Sequence, residues 1–177
     1  MKVLDEYAAR EYLHGRGPRM ARARLARDPA EAVAAAESMG WPVVAKASVE
    51  GVGHKSDFKG VELDLGGPDE LVAAFRRLSA SAANAGYGGA FRGVLVEERL
   101  RGSEFIIGAL RDEAFGPVVM VGSGGVLAEL FRDAVFRLAP ICAAEAERAI
   151  RETRASRFLE GFRGSPPLPI KSLAEAV

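Results

Sequence analysis

The sequence has little cysteine or histidine and no long apolar run. Its 177 residues include one cysteine, Cys142, which excludes an internal disulfide and fits a reducing cytoplasm. Two histidines and one cysteine are too few for a typical zinc site. No apolar run is long enough to span a bilayer, and the charged N-terminus MKVLDEYAAREYL lacks the apolar core of a signal peptide. We therefore expect a soluble cytoplasmic protein.

An excess of either charge is also absent. Lysine plus arginine and aspartate plus glutamate each number 24, so the formal net charge is zero. This balance argues against a protein that binds nucleic acid or a membrane surface. Hydrophobic residues make up 49% of the chain, which is ample for a core in one compact domain or two small lobes.

Lysine is scarce, and its distribution is uneven. Nearly all basic residues are arginine, yet three of the lysines, Lys46, Lys55 and Lys59, lie within residues 46–59. Chance combined with a preference for arginine is one explanation. The other is that compact ammonium groups are kept where a phosphate is held, and the clustering favours this second explanation.

The pattern of elements predicts an α/β protein. Asp5 is expected to cap a helix that runs to about Leu13, and Asp28 with Pro29 begins a second helix that ends at Gly40. Residues 42–47 predict a strand buried on both faces, and residues 61–65 predict a strand with one solvent-exposed face. A helix from about residue 68, the strand FRGVLVEERL, the strands SEFIIGALRD and GPVVMVG, and the amphipathic helix CAAEAERAIRETRAS follow.

Lys46 and the loop 49–60 that follows it form the first candidate site. A lysine near the end of an apolar strand must reach the surface or meet an anion, because an unpaired buried ammonium is costly. The glycines of the loop let the backbone approach a phosphate, although no Walker loop is present. His54 is either a surface histidine or a nucleophile or acid/base, since it lacks partners for a metal. The expected phosphate loop comprises Gly51, Gly53, Lys55, Ser56, Lys59 and Gly60.

Two later stretches carry further candidates. VLVEERLRGSE places Glu97 and Glu98 at a strand end and Glu104 on the next strand. These carboxylates either accept hydrogen bonds from a ribose or lie on solvent-exposed strand ends. In VGSGGVLAELFRDAVFRLAP, Gly124 and Gly125 allow either tight packing of strands or close approach of a ligand.

Arg137 follows these glycines as an isolated charge on an apolar strand. Alternation on a half-exposed strand explains its position, and contact with a phosphate or a partner is the other interpretation. Contact with a phosphate or a partner is also possible for Gly124 and Gly125.

The stretches VVAKAS, GHKSDFKGV, RGVLVEE, FGPVVMVGSGG, FRDAVFRLAP and GFRG together resemble the ATP-grasp portion of the NDP-forming acyl-CoA synthetases, a family best known for its ADP-forming acetyl-CoA synthetases. The resemblance covers essentially the whole chain. It implies that Lys46 contacts nucleotide phosphates, that Glu97 and Glu98 lie at an adenine-binding hinge, and that Glu104 binds ribose. It also implies that His54 carries a phosphoryl group and relays it toward ADP.

The resemblance further implies an ATP-grasp fold with two α/β lobes that is truncated at its C-terminus. We expect residues 1–177 to form one ATP-grasp domain, with lobe one at about 17–98 and lobe two at about 99–177 joined by the N-terminal helix 1–16. The family's magnesium-binding strand would follow Val177, so no metal ligand is expected within the chain. ATP or ADP and Mg²⁺ are the implied cofactors.

The implied reaction is the reversible conversion of acid, CoA and ATP to acyl-CoA, ADP and phosphate. The implied partners are CoA-binding and phosphohistidine-bearing domains or a subunit of the same enzyme, through which the acid and CoA would bind, and a homo-oligomer is compatible with the sequence. Two alternatives remain open at this stage. One is a non-catalytic ATP- or ADP-binding regulatory module of a multidomain protein such as an acetyltransferase fusion. The other is a purely structural subunit, against which the intact set of Lys46, His54 and Glu104 argues.

Overall fold

A computed structural model describes residues 4–15, 19–52, 58–125, 128, 133–161 and 167–177 of the chain. Its contacts separate two compact units, Met1–Leu100 and Arg101–Val177. No helix within the described ranges is long and apolar enough to cross a membrane.

The first unit is built on a four-stranded antiparallel sheet. Its strands are β1 (Ala23–Ala26), β2 (Val43–Val49), β3 (Val61–Leu65) and β4 (Phe91–Glu98), arranged in the order β1-β4-β2-β3. The helices described in this unit are α1 (Glu6–Leu13), α2 (Pro29–Met39) and α3 (Pro68–Asn84), with a short 3₁₀ helix at Gly88–Ala90.

Aspartate side chains cap the N-terminal ends of the first two helices, as the sequence predicts. The Asp5 carboxylate accepts a hydrogen bond of 2.8 Å from the Ala8 amide at the start of α1. Asp28 does the same for the Glu31 amide at 2.9 Å, with Pro29 in the first turn of α2. These bonds satisfy amides that have no partner within the helix.

The core of the first unit lies between one face of the sheet and helices α2 and α3. Successive side chains of a strand point to opposite faces, so alternate residues of β2 enter this core. The predicted apolar stripe of α3 is buried against it: Leu71, Phe75 and Leu78 are at most 7% exposed. The burial of β2 on both faces confirms the prediction for that strand.

Three details of the first unit differ from expectation. Strand β1, whose four residues pair with β4, was not predicted. Strand β2 extends to Val49, so Lys46 is its central residue rather than one near its end. On β3, Val61 and Leu63 are 38% and 55% exposed, although alternation predicted a buried apolar face. That strand lies at the sheet edge, and its pairing with β2 is interrupted by an irregularity in register.

Helix α1 belongs to the first unit, where its side chains contact strands β2 and β4. The sequence had led us to assign this helix to the second lobe. The reason for the difference is electrostatic: α1 carries an acid and a base on the side that contacts two charged residues of the sheet.

The second unit is built on a three-stranded antiparallel sheet. Its strands, β5 (Phe105–Asp112), β6 (Gly116–Ser123) and β7 (Ala134–Leu138), form the order β5-β6-β7. Helices α4 (Ala143–Glu152), α5 (Ser156–Leu159) and α6 (Ile170–Ala174) follow. Val121 of β6 and Ile150 of α4 are fully buried in the core of this unit.

Candidate functional site

The face of the first sheet opposite helices α2 and α3 carries the charged candidates. Lys46 of β2 pairs in register with Leu95 of β4, and Glu97 is opposite Val44 two residues away. Lys46 and Glu97 are therefore diagonal neighbours on one face. The strand register alone brings these two predicted residues together.

Lys46 lies between two carboxylates. Its Nζ donates a hydrogen bond of 2.8 Å to Glu6 Oε1 of α1 and lies 2.6 Å from Glu97 Oε2 of β4. Only 24% of the lysine side chain is exposed. The sequence required this residue to reach the surface or meet an anion, and within the described chain it meets two.

A fourth charge continues the array from the same helix. Arg10 Nη1 donates to Glu97 Oε1 at 2.8 Å, and the other guanidinium nitrogen of Arg10 donates to the Ala21 carbonyl. Glu6, Lys46, Glu97 and Arg10 thus alternate in sign along one row, which we call the charge row. Glu97 is 9% exposed, and such a buried carboxylate needs the partners that the charge row supplies.

The pKa of Lys46 lies above its ordinary value of 10.5. Burial on its own lowers the pKa of this ammonium, but the hydrogen bonds to Glu6 and Glu97 outweigh that effect. The lysine is therefore a permanent cation at physiological pH, and its pair of carboxylates marks a position that holds negatively charged oxygens.

Glu98 lies apart from the charge row. Its carboxylate accepts hydrogen bonds of 2.8 Å from the Arg22 amide and 2.7 Å from Arg22 Nε, and both lower the pKa of the Glu98 carboxyl. Because neighbouring residues of a strand point to opposite faces, Glu97 and Glu98 cannot act on one ligand group through both carboxylates.

The first unit also contains a cavity of about 320 Å³, which none of the four residues of the charge row lines. It is bordered by α1 on one side and by the end of β2 and the start of the following loop on the other. Ser48, which is 2% exposed, and Gly51 both line this cavity. Gly51 is thus the one residue of the predicted phosphate loop that lines it within the described chain.

The rest of the predicted phosphate loop is only partly described. Gly60 is buried, and its carbonyl accepts a hydrogen bond of 2.8 Å from the Ala47 amide of β2, so the loop returns beside Lys46. Lys59 is exposed and has a φ of 55°. The other predicted members, Gly53, His54, Lys55 and Ser56, lie outside the described residues.

In the second unit, Glu104 lies directly against Gly124 and Gly125. The Gly124 amide donates to the Glu104 carbonyl at 2.8 Å. A Cβ atom on Gly124 would lie 2.7 Å from the Glu104 carbonyl carbon, and one on Gly125 would overlap the Glu104 carboxylate. These glycines therefore allow the backbone to pass close to Glu104, so three of the predicted site residues lie together.

Arg137 has two carboxylate partners within its own unit. Its Nε lies 2.6 Å from Glu145 Oε1 and its Nη2 lies 2.6 Å from Glu152 Oε1, both on α4. These ion pairs join β7 to the helix. A role for Arg137 in contacting phosphate or a partner stays a prediction.

The sequence analysis missed Glu6 and Arg10. Both lie in the helix predicted after Asp5, and neither was assigned a role. Their spacing of four places them on one side of α1, and that spacing is the only signal the sequence offers. No group of three or more His, Cys, Asp or Glu side chains that could hold a metal is found among the described residues.

Comparison with known proteins gives matches along the whole chain. The ATP-grasp domain family matches residues 1–177. The β subunit of the ADP-forming acetate–CoA ligase I of Pyrococcus furiosus is 37% identical over 177 residues, which cover 99% of this chain and 76% of the subunit. Trans-feruloyl-CoA synthase FCS1, from an unknown prokaryotic organism, is 38% identical over 99% of this chain. The chain spans only a quarter, 25%, of that synthase.

Solved structures agree with the sequence matches. The acetyl-coenzyme A synthetase 1 of Candidatus Korarchaeum cryptofilum, in complex with coenzyme A and Ca-AMPCP, superimposes with a TM-score of 0.89 at 39% identity. The match covers 98% of this chain and 77% of that chain. A second structure of the same synthetase contains Mg-AMPPCP, with its phosphohistidine segment pointing towards the nucleotide binding site. Its TM-score is 0.78 at 38% identity, over 97% of this chain and 73% of that one.

Proposed function

Since this chain belongs to the ATP-grasp domain family, as the β-subunit-like part of the ADP-forming acetyl-CoA synthetases, we propose that it is the nucleotide-binding part of an NDP-forming acyl-CoA synthetase. The complete enzyme would interconvert acid, CoA and ATP with acyl-CoA, ADP and phosphate. The two units Met1–Leu100 and Arg101–Val177 would be the two lobes of the ATP-grasp fold.

The position of Lys46 is the observation that carries this proposal. It is a half-buried ammonium on a sheet face, beside the strand to which the glycine loop returns, and it already holds two carboxylates at 2.6 and 2.8 Å. Phosphate oxygens have the charge and hydrogen-bonding capacity of these carboxylates. The synthetase from Candidatus Korarchaeum cryptofilum, at a TM-score of 0.89, binds the nucleotide analogue Ca-AMPCP.

The other predicted site residues enter the proposal with the roles that the family suggests. Glu97 and Glu98 end β4, where their backbone groups would meet adenine. Glu104, on the segment before β5, would accept hydrogen bonds from the ribose, with Gly124 and Gly125 allowing its approach. The loop residues Gly51, Lys59 and Gly60, with the four that lie outside the described residues, would surround the transferred phosphoryl group.

His54 would carry the phosphoryl group between sites. A neutral imidazole nitrogen would attack phosphorus, the bond to the partner's phosphohistidine nitrogen would break, and a β-phosphate oxygen of ADP would then displace His54 to form ATP. Catalysis would consist mostly of positioning and of neutralising charge on the moving group. The described residues present no cluster for magnesium, so no step is assigned to a metal held by them.

CoA-binding and phosphohistidine-bearing parts would act together with this chain. The Pyrococcus furiosus relative is a β subunit, and in the synthase FCS1 the match covers only 25% of one polypeptide. These matches are compatible with partner parts on a separate subunit or on the same polypeptide. The exposed free thiol of Cys142 is compatible with a cytoplasmic location, which completes the proposal.

Trapping the phosphoryl group tests this proposal most simply. The enzyme containing this chain should be incubated with ATP and Mg²⁺ and examined by mass spectrometry under basic conditions, where phosphohistidine is stable. We expect phosphate on His54, and its loss in a His54→Ala variant that still binds ADP. His14→Ala, which removes the only other histidine, at an exposed position, is the matched control and should keep the label.

Two outcomes would argue against the proposal in different ways. ADP binding with no phosphate on any histidine of the chain would favour the non-catalytic, nucleotide-binding module. Full turnover in His54→Ala would show that the partner's phosphohistidine transfers directly to ADP.

A further inference from the structure

Glu6 of helix α1 forms an ion pair with Lys46, the residue that binds nucleotide phosphates in the proposed function. Glu6 Oε1 accepts a hydrogen bond of 2.8 Å from Lys46 Nζ, and Glu97 Oε2 lies 2.6 Å from the same nitrogen. The Glu6 side chain is 31% exposed, compared with 11% for Glu97, so Glu6 is the more accessible of the two acceptors.

The two carboxylates have different anchors. Glu97 is fixed within β4 and also binds Arg10, so its place beside Lys46 is set by the sheet. Glu6 lies in the first turn of a helix of eight residues, none of which is buried. A helix without buried residues gains little stability from packing. Helix α1 therefore holds Glu6 less firmly than strand β4 holds Glu97.

A phosphate approaching Lys46 therefore meets one acceptor that is fixed and one that can be displaced. An ammonium has three N–H donors, and two of them already point at Glu6 and Glu97. The approaching phosphate also carries the same charge as Glu6, so the two repel one another at one cation. Displacement of Glu6 relieves this repulsion and breaks its half-exposed ion pair with Lys46.

We infer that Glu6 is an affinity-setting residue, which competes with nucleotide phosphates for Lys46 and couples nucleotide binding to the docking of α1. The inference rests on the proposed function, since it requires that phosphates bind at Lys46. Glu6 is then a carboxylate stand-in for phosphate in the nucleotide-free protein. Nucleotide binding should loosen α1, and loosening of α1 should raise nucleotide affinity by the same factor.

Calorimetric titration with ADP tests the competition. If the competent state, with Glu6 displaced, makes up about a tenth to a third of the protein, then Glu6→Gln should bind ADP about three- to tenfold more tightly than the wild type. Glu11→Gln is the matched control, because it removes an exposed carboxylate from the same helix. It should leave ADP affinity unchanged.

Hydrogen exchange of the wild-type chain supplies a second test that needs no variant. Saturating ADP should accelerate exchange of the α1 amides from Arg10 to Leu13, which close the helical hydrogen bonds. Unchanged or weaker ADP binding by folded Glu6→Gln would overturn the inference, as would increased protection of α1 in the presence of ADP. Absence of ADP binding to the wild-type chain would be a different result, since it would refute the proposed function and the inference with it.

Discussion

Arg10 and Glu97, 87 residues apart in the sequence, form an ion pair of 2.8 Å that attaches helix α1 to the central sheet of the first unit. The two side chains are only 15% and 11% exposed. The same carboxylate holds Lys46 through its other oxygen, so Arg10 and the candidate phosphate-binding lysine share one acceptor. The charge row therefore attaches α1 to the sheet, and it also contains the lysine proposed to bind nucleotide phosphates.

Removing the arginine should destabilise the first unit. Arg10→Leu leaves Glu97 with one cation instead of two and leaves the Ala21 carbonyl without this donor. We therefore expect a loss of about 1.5–3 kcal/mol in the free energy of unfolding, the range for a charged hydrogen bond. Urea denaturation of the wild-type and variant chains measures this difference in the free energy of unfolding. Arg22→Leu, which breaks the more exposed pair with Glu98, is the control and should cost less. Equal midpoints for Arg10→Leu and wild type would show that this ion pair contributes nothing to stability.

Adding a methyl group at Gly124 should disturb Glu104. The new Cβ atom would lie 2.7 Å from backbone of that residue, which cannot move as a side-chain tip can. We expect Gly124→Ala to lower stability by about 1–3 kcal/mol and to weaken ADP binding if Glu104 holds the ribose. Gly89→Ala, where a Cβ atom would meet open space, is the control and should change neither. A fully stable Gly124→Ala with unchanged ADP affinity would mean that the contact with Glu104 is not needed.

The stability of the second unit should depend on the charge of Asp133. Partial burial works to raise the pKa of this carboxyl, but hydrogen bonds from the Ser123 hydroxyl and from the amides of Arg154 and Ala155 outweigh it, and the pKa lies below its ordinary value of 3.8. A lowered pKa in the folded state stabilises the fold above the unfolded-state pKa and ceases to do so as pH falls through the folded-state value.

Thermal melts between pH 7 and pH 2.5 examine this effect. Asp133→Asn should melt at a lower temperature than the wild type at neutral pH, and the difference should shrink as pH falls below about 4. Glu160→Gln, at an exposed position in the same unit, should show no such trend. A difference in melting temperature that stays constant down to pH 2.5 would rule out the charge as its cause.

Elements that depend on neighbouring residues were predictable from the sequence. Asp5 and Asp28 each cap a helix at the predicted residue, and Gly40 ends the second one, because a cap forms within a few residues of chain. The buried strand β2 was equally clear from its continuous apolar run. The family, and with it the ATP-grasp-like α/β fold, followed from short motifs spread along the chain, and the match over residues 1–177 confirms it.

Features that depend on distant parts of the chain were not predictable. Strand β1 is only four residues long, and its pairing with β4 decides that it is a strand. The charge row joins residues from α1, β2 and β4, and no local pattern links an acid at Glu6 to a lysine 40 positions later. The site assignment for His54 still rests on the sequence alone.

The affinity of a Lys46→Met variant for ADP tests the central claim, that this face of the sheet binds nucleotide phosphates. Methionine keeps the apolar stem and removes the charge, so losing one charge-assisted contact should cost about 1.5–3 kcal/mol, or about ten- to a hundredfold in affinity. Lys171→Met, which removes an exposed lysine from the second unit, is the matched control. We predict weak ADP binding by Lys46→Met, whose folding is verified by circular dichroism, and wild-type binding by Lys171→Met. Wild-type ADP affinity in folded Lys46→Met would contradict the account.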